Sequence, residues 1–436
     1  MYWFWHIWSL FLAILTLPAE VHSQLSELPV CALDCFQDVV ASLSCSSTNE
    51  TCICAELVGS ANMTACVLGN CTVKESLTTQ NITTTACNIA PRRASVSYNA
   101  IIITFTILST ILVAQRLAFR IYATIGLSTD DYLILLATLS NIPLTVLGVY
   151  GLNGNGLGQE VWTVPFESIY KFGKYFFVAA LLYFLVMTLV KLALLFFYLR
   201  IFPFTPISQI IRGTIAFCIL QGLIIIFVTI FLCQPISFFW EGWDGEHTGH
   251  CLSNRLIIWT NAIISIALDF WMLGIPLSQL RGLNLSRRKK LGVGAMFCVG
   301  AFVTVVSILR LSALVNFQAS SGNATWNYFG ASVWSVVETN VGILCTCMPT
   351  LRLFLVRYFP ALSNSAQRSS FNAHAFSMPP GRNGNGQKGA VQSLSVYLNL
   401  DKTFKPGKVH DGGRDRMPAA GRAENDETEL IHMREF

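Results

Sequence analysis

Long apolar runs alternate with short polar breaks from residue 98 to residue 352, and polar segments flank that region. Seven runs stand out, at about 98–118, 131–150, 174–199, 209–232, 256–279, 291–315 and 327–350. Each is close to the ~20 residues that a helix needs to cross the hydrocarbon core of a bilayer. The pattern predicts seven membrane-spanning helices. A further apolar run, MYWFWHIWSLFLAILTLP, opens the chain and is followed by AEVHSQ. It is short for a spanning helix and reads as a signal peptide, residues 1–23, cleaved after Ser23, with an uncleaved anchor as the alternative. Residues 353–436 hold many Gly, Ser, Asn and Pro and few long apolar runs, which predicts a disordered tail.

Composition agrees with a membrane protein. Of 436 residues only 12% are charged, about half the fraction usual for a soluble chain. Lysine and arginine exceed aspartate and glutamate by 29 to 24, a net +5, and no basic face with a domain to carry it indicates a nucleic-acid partner. Where the positive charges fall is more informative. Arg116, Arg120, Arg200, Arg212, Arg281, Arg287, Arg288, Lys289 and Lys290 lie in the breaks 116–130, 200–212 and 281–290. The alternate breaks hold Lys171, Lys174 and Arg255 and little else. The positive-inside rule therefore predicts a multi-pass protein of the cell membrane, with an extracellular N-terminus and a cytoplasmic C-terminus.

Eight of the 14 cysteines fall in one short segment: Cys31, Cys35, Cys45, Cys52, Cys54, Cys66, Cys71 and Cys87. An even set behind a secretion signal reads as a disulfide framework, which a segment this small needs in order to fold. Cys52-Ile53-Cys54 is a CxC rather than a CxxC pair, so zinc is disfavoured. Spacing alone leaves 105 pairings open. Sequons at Asn49, Asn62, Asn70 and Asn81 support an extracellular segment; Asn323 falls on the same side of the membrane, whereas Asn284 falls on the cytosolic side and is expected to be silent. A bond between Cys233 and Cys251 would close the second outer loop, which also holds Trp240 and Trp243.

The spacing Pro29-x-Cys31-Ala32-x2-Cys35, Cys45, Cys52-x-Cys54, Cys66-x4-Cys71, Cys87 resembles the CFEM domain of fungal extracellular proteins. That resemblance implies the pairing Cys31–Cys71, Cys35–Cys66, Cys45–Cys52 and Cys54–Cys87. Some members bind haem through an Asp three residues before the fourth cysteine. Here that position is Asn49, a neutral and much poorer ligand for ferric iron that also sits in a sequon, so no haem cofactor is expected.

Four ionisable residues lie inside the runs: Lys191, Asp269, Arg310 and Glu338. Charges in hydrocarbon are expensive and mark either a structural ion-pair network or a ligand and switch site. Asp269 and Glu338 sit near mid-depth, and Arg310 is expected near the outer end, able to snorkel to the interface. Several chemistries are disfavoured or excluded. The last run contains no lysine for a retinal Schiff base. Gly151, Gly154, Gly156 and Gly158 loosely suggest a phosphate loop but read as a flexible outer loop. His247 and His250 beside Asp244 are metal-capable but read as an exposed polar loop, and no HExxH or Ser-His-Asp set indicates an enzyme.

Further strings resemble the seven-helix rhodopsin-like domain of fungal integral membrane proteins. They are Asp130-Asp131-Tyr132, Gly156-Leu157-Gly158, Lys191 with Tyr198-Leu199-Arg200, Cys233-Gln234-Pro235 with Trp240, Asp269 with Pro276, Arg310-Leu311, Glu338, and Cys347-Met348-Pro349-Thr350-Leu351-Arg352. The expected fold is all-α: a signal peptide (1–23), a disulfide-rich helical CFEM domain (24–90), a linker (91–97), a seven-helix transmembrane bundle (98–352) and a cytoplasmic tail (353–436). The two resemblances together imply a fungal cell-surface, G-protein-coupled-receptor-like protein that senses an extracellular or host-surface cue, with an unknown ligand, a heterotrimeric G protein as partner, and a part in pathogenic development. The alternative is haem or iron capture, or a host-interface virulence effector.

Overall fold

A computed structural model of the chain describes residues 27–42, 54, 60–124, 126–202, 205–280, 300–313 and 322–358. The expected signal peptide, the loop with Cys45, Asn49 and Cys52, the sequon at Asn284 and residues 359–436 lie outside them.

Three helices build the N-terminal head: α1 (Val30–Ser42), α2 (Ala61–Asn70) and α3 (Val73–Ala86). Local chemistry starts the last two. The Ser60 hydroxyl accepts the Met63 N–H at 3.1 Å, and Thr72 with Glu75 forms a reciprocal capping box that places a carboxylate at the positive end of the helix dipole. The hydroxyls of Thr79, Thr83 and Thr84 donate to carbonyls one turn back, which lets α3 bury threonine with its polar atom satisfied. Among the described residues, just Cys35, Met63 and Val67 form the buried cluster between α1 and α2. Covalent closure compensates: Cys31–Cys71, Cys35–Cys66 and Cys54–Cys87 close separations of 40, 31 and 33 residues. In the chain-entropy account each such loop contributes about 4 kcal/mol.

Seven helices follow: α4 (Ser95–Tyr122), α5 (Thr129–Val146), α6 (Phe166–Ile201), α7 (Thr205–Ile230), α8 (Asn254–Leu280), α9 (Gly300–Ala313) and α10 (Ala324–Tyr358). All but α9 are long and apolar enough to cross a membrane, and the flanks of α9 fall outside the described residues. The apolar side chains of Ile103, Ile107, Ile111, Leu220, Leu223 and Phe227 point away from the bundle, as a lipid-facing surface requires. α6 and α10 are the central helices: 56% and 61% of their apolar windows are buried, against 28% for α4 and α8.

Several boundaries differ from the hydropathy reading. α6 begins at Phe166 rather than near 174, because its first turns carry Ile169 and Phe172 into packed clusters at the head-bearing end. α10 runs on to Tyr358, past the expected tail boundary at 353, with Phe354 edge-on to Phe119 at 5.9 Å. α4 starts at Ser95, so the last three residues of the expected linker are helix. Among the described residues the one sheet is a two-residue ladder, β1 (Cys233–Gln234) with β2 (His250–Cys251), cross-linked by the Cys233–Cys251 disulfide.

The glycine-rich stretch is a packed knot rather than a flexible loop. Gly158 has φ +73°, its N–H donates to the Thr325 carbonyl at 3.1 Å, and its own carbonyl accepts the Ala94 N–H at 3.0 Å. A Cβ there would meet the Phe329 ring at 2.8 Å, so only glycine fits. Arg93 and Gln159 add an antiparallel bridge, and Arg92 pairs with buried Glu160 at 2.5 Å. The segment between head and bundle is thus tied to the bundle's own end.

The head itself docks there. Leu77 of α3 joins Val161, Val164 and Ile169, with Trp162, Phe166 and Trp243 around them. Beside this contact Lys74 reaches Glu246 at 2.6 Å and Asp244 at 3.6 Å. Asp244 is buried, with its carboxylate accepting from Tyr170 and in contact with His247 Nδ1 at 3.0 Å. Burial works against the Asp244 charge, but the hydrogen bonds from Tyr170 and His247 outweigh it and hold its pKa below the usual carboxylate range. The hydrogen bond to Asp244 raises the pKa of half-exposed His247.

Truncating Leu77 to alanine removes the apolar anchor of this seam. A buried leucine truncation costs about 2–5 kcal/mol, so hydrogen exchange in α3 should accelerate by at least tenfold while the bundle's melting temperature is unchanged. His247 gives the seam a pH dependence. Its folded-state pKa is raised, so its stabilisation is fully present below the ordinary imidazole value and is lost as pH rises through the raised value. Protection of α3 should therefore fall as pH rises above the ordinary imidazole value of about 6.5, and His247→Gln should flatten that profile.

Candidate functional site

Polar side chains that hydrophobicity would keep out of a bundle core form three layers between the helices. The first lies among α6, α8, α9 and α10. Lys191 Nζ pairs with Asp269 at 2.9 Å and also donates to the Ser265 carbonyl and hydroxyl at 2.9 and 2.8 Å, which uses all three ammonium protons. Glu338 accepts the Tyr183 hydroxyl at 2.6 Å and pairs with Arg310 at 3.3 Å, while the Arg310 guanidinium lies 4.3 Å from the Tyr183 ring centre. Ser307 joins the two pairs: its Oγ lies 2.7 Å from Glu338 Oε1 and 3.1 Å from Asp269 Oδ2. The structure therefore brings Lys191, Asp269, Arg310 and Glu338 into one neutral cluster. Arg310 does not snorkel. It is buried, because Glu338 and Tyr183 lie within its reach and replace the interface as its solvent.

The second layer is uncharged. Asn340 of α10 accepts from Ser109 of α4 at 2.7 Å and from Asn141 of α5 at 3.1 Å. The third lies at the end away from the head. Arg116 and Arg120, one turn apart on α4, face Asp130 and Asp131 in the first turn of α5. Arg116 pairs with Asp130 at 2.5 Å and with Asp131 at 2.9 Å, and its other nitrogen donates to the Thr346 carbonyl of α10. Arg120 closes the square on both aspartates, and Arg200 at the end of α6 donates to Ser128, the cap of α5, at 2.8 Å. All four charged side chains of the square are at most 3% exposed.

Sequence reasoning missed this third layer. Arg116 and Arg120 were expected as loop charges, whereas α4 continues through both to Tyr122 and turns them inward. The available signal was the match of two arginines with two aspartates on either side of one short turn. Ionised groups cost several kcal/mol each to bury, and a closed two-plus-two square repays this only while it is complete.

Two cavities border Lys191. One of about 20 Å³ lies toward α7, against Thr188, Cys218, Gln221 and Ser265. The other, about 60 Å³, lies among α6, α8, α9 and α10, between the Lys191–Asp269 pair and Thr346. Together they hold a few water molecules and fall well short of a drug-sized ligand.

The remaining expected sites divide. Asn62, Asn70 and Asn81 are exposed on the head. Asn323 is half-buried: its amide donates to Glu160, its carbonyl accepts the Val161 N–H at 3.0 Å, and Thr325 is buried. It pins the start of α10 to the glycine knot. His247 meets Asp244, whereas His250 is exposed in β2 and does not join them. Cys31, Cys71 and Glu75 come together, but the two sulfurs are bonded to each other and are not thiolate ligands.

Comparison with known proteins places this geometry. The family model of the fungal rhodopsin domain matches residues 115–357, and that of the CFEM domain matches residues 24–88. A SAT4 family membrane protein of Emericella nidulans is 29% identical over 231 residues, which cover 50% of this chain and 56% of that protein. The receptor GIN3 of Arthrobotrys oligospora is 24% identical over 260 residues, 59% of this chain and 62% of the relative. The satratoxin biosynthesis SC1 cluster protein 4 of Stachybotrys chartarum is 28% identical over 243 residues, covering 50% of this chain and 84% of the relative. No solved structure matches the chain.

The arginine–aspartate square should behave as a unit. Arg116→Met or Asp131→Leu alone strands a buried charge and should destabilise the detergent-solubilised protein by about 3–5 kcal/mol. The double variant should lose less than the sum of the two, giving a coupling energy above about 1 kcal/mol in a double-mutant cycle of thermal unfolding.

Proposed function

The chain belongs to the fungal rhodopsin domain family, and from that premise we propose that it is a cell-surface receptor of G-protein-coupled type whose CFEM head faces outward. The observation that carries this reading is the contribution of α10 to every polar layer. Glu338, Asn340 and the Thr346 carbonyl connect the charge cluster, the asparagine layer and the arginine–aspartate square along about 12 Å of one helix. A displacement of α10 at the head-bearing end, where Thr325 and Asn323 are tied to the glycine knot, must reach the square at the other end. Re-pairing within these ion-pair layers would supply a second discrete packing, which is what a switch requires. The reading is supported by the receptor named among the relatives and by the positive-inside orientation, which puts the head outside and the square on the cytosolic side.

The cue is read at the head and its seam rather than deep in the bundle, because the cavities beside Lys191 are too small for a typical ligand. A cue that loosens the Leu77 contact or the Lys74–Glu246 pair would release the end of α6 and, through it, Lys191. A fungal surface cue read in this way would feed a cytosolic G protein, with a part in host recognition and pathogenic development.

Lys191→Met, which removes the tether to Asp269 and Ser265, should raise basal nucleotide exchange on a co-expressed heterotrimeric G protein severalfold in membranes. Unchanged exchange with intact surface expression would count against the receptor reading. In the same preparation, haem added to the full chain should give no saturable Soret band, and a saturable one would favour haem capture instead.

A further inference from the structure

Ser307 has one hydroxyl hydrogen and three acceptors within reach. Glu338 Oε1 lies at 2.7 Å, Asp269 Oδ2 at 3.1 Å and the Val303 carbonyl at 3.2 Å. None of the remaining donors bonds Asp269 Oδ2: Lys191 serves Asp269 Oδ1 and both oxygens of Ser265, Tyr183 and Arg310 Nη1 serve Glu338 Oε2, and Arg310 Nε is buried without a hydrogen-bond partner. When the Ser307 hydrogen goes to the nearer oxygen, on Glu338, Asp269 Oδ2 has no donor and faces a hydroxyl lone pair. Buried carboxylate oxygens without a donor are costly.

We propose that Asp269, Ser307 and Glu338 form a proton-binding site that sets the state of the bundle. One proton from solvent adds to Asp269 Oδ2, converting the carboxylate to a carboxylic acid. The new O–H donates to Ser307 Oγ, and Ser307 donates to Glu338 Oε1, so that every oxygen in the row has a partner. Nothing else is consumed or released. The charge of the cluster of Lys191, Asp269, Arg310 and Glu338 rises from zero to +1, and the whole of that change falls on Lys191, which loses its counter-ion. Glu338 keeps Arg310 and Tyr183.

The groups that face Asp269 decide when this occurs. Lys191 and Tyr183 come from α6, Cys218 from α7, Ser307 from α9, and Glu338 and Cys345 from α10, while Arg310 of α9 is held on Glu338. In the resting arrangement Lys191, paired with Asp269, opposes the proton. Any movement that draws Lys191 away from Asp269 removes that opposition, and the cavities on both sides of Lys191 give its side chain somewhere to go. Proton uptake and release of Lys191 therefore favour each other. This deepens the receptor reading and rests on it for the consequence, but the proton site itself is measurable without any signalling assay.

The test is infrared difference spectroscopy of the purified full chain in lipid nanodiscs, stepped from alkaline to acidic pH in water and in heavy water. The expected result is a carboxylic acid band that grows on acidification, shifts in heavy water and is absent in Asp269→Asn. Ser307→Ala removes the acceptor and should move the midpoint down by about one pH unit, the shift that a tenfold change in proton affinity produces. Lys191→Met should move it up. A chain that stays folded across the range without such a band, or a band that survives in Asp269→Asn, overturns the proposal. A titrating band without any effect of Lys191→Met on nucleotide exchange would sustain the proton site and defeat the receptor reading.

Discussion

A charge inside a bilayer must be neutralised by a neighbouring helix, because hydrocarbon offers it no other solvent. That constraint organises this bundle. Lys191 holds α6 to α8 through Asp269 and Ser265, and Glu338 holds α10 to α9 and α6 through Arg310 and Tyr183. At the far end two arginines and two aspartates fasten α4 to α5, and Arg116 extends the clamp to α10. Leucine and valine fill the spaces between these points, but hydrocarbon side chains have little preference for one another over lipid. The polar contacts therefore set which helices meet and in what register.

The same economy explains why α6 and α10 are the buried helices. Each contributes to more than one polar layer, and each extends beyond its apolar run to engage structure outside the core. α6 carries Ile169 and Tyr170 to the head, and α10 opens on Asn323 and Thr325, which tie it to Glu160, Val161 and Gln159. The head is stapled internally by disulfides and docked through one leucine and one lysine. It is cross-linked in itself and held to the bundle by a seam of modest size. Of the contacts described, this seam is where an external cue acts against the least resistance.

Much of this was legible from the residues alone. Seven apolar runs announce seven helices because the ~30 Å of hydrocarbon imposes a length that no soluble helix needs to respect. The clustered cysteines announce a stapled head because so short a segment cannot bury enough apolar surface to stand without cross-links. Lys191, Asp269, Arg310 and Glu338 could be singled out because charge in an apolar run is conspicuous. In each case the signal is carried by composition within one segment.

What the chain by itself could not reveal is which group each charge would meet. Arg116 and Arg120 sit at the polar end of a run and have the composition of topogenic loop charges; one further turn of α4 and the capped start of α5 bring them onto Asp130 and Asp131. Arg310 has the position of a snorkelling residue until Glu338 and Tyr183 are found beside it. Asn323 satisfies a sequon, and only its contact with Glu160 shows that its amide is already committed. The sequence determined the number of helices, the stapled head and the presence of intramembrane charge, since these depend on local hydrophobicity and length. Tertiary structure decided the pairings, because a charge's environment is set by side chains up to about 230 positions away, brought within 3 Å only by packing.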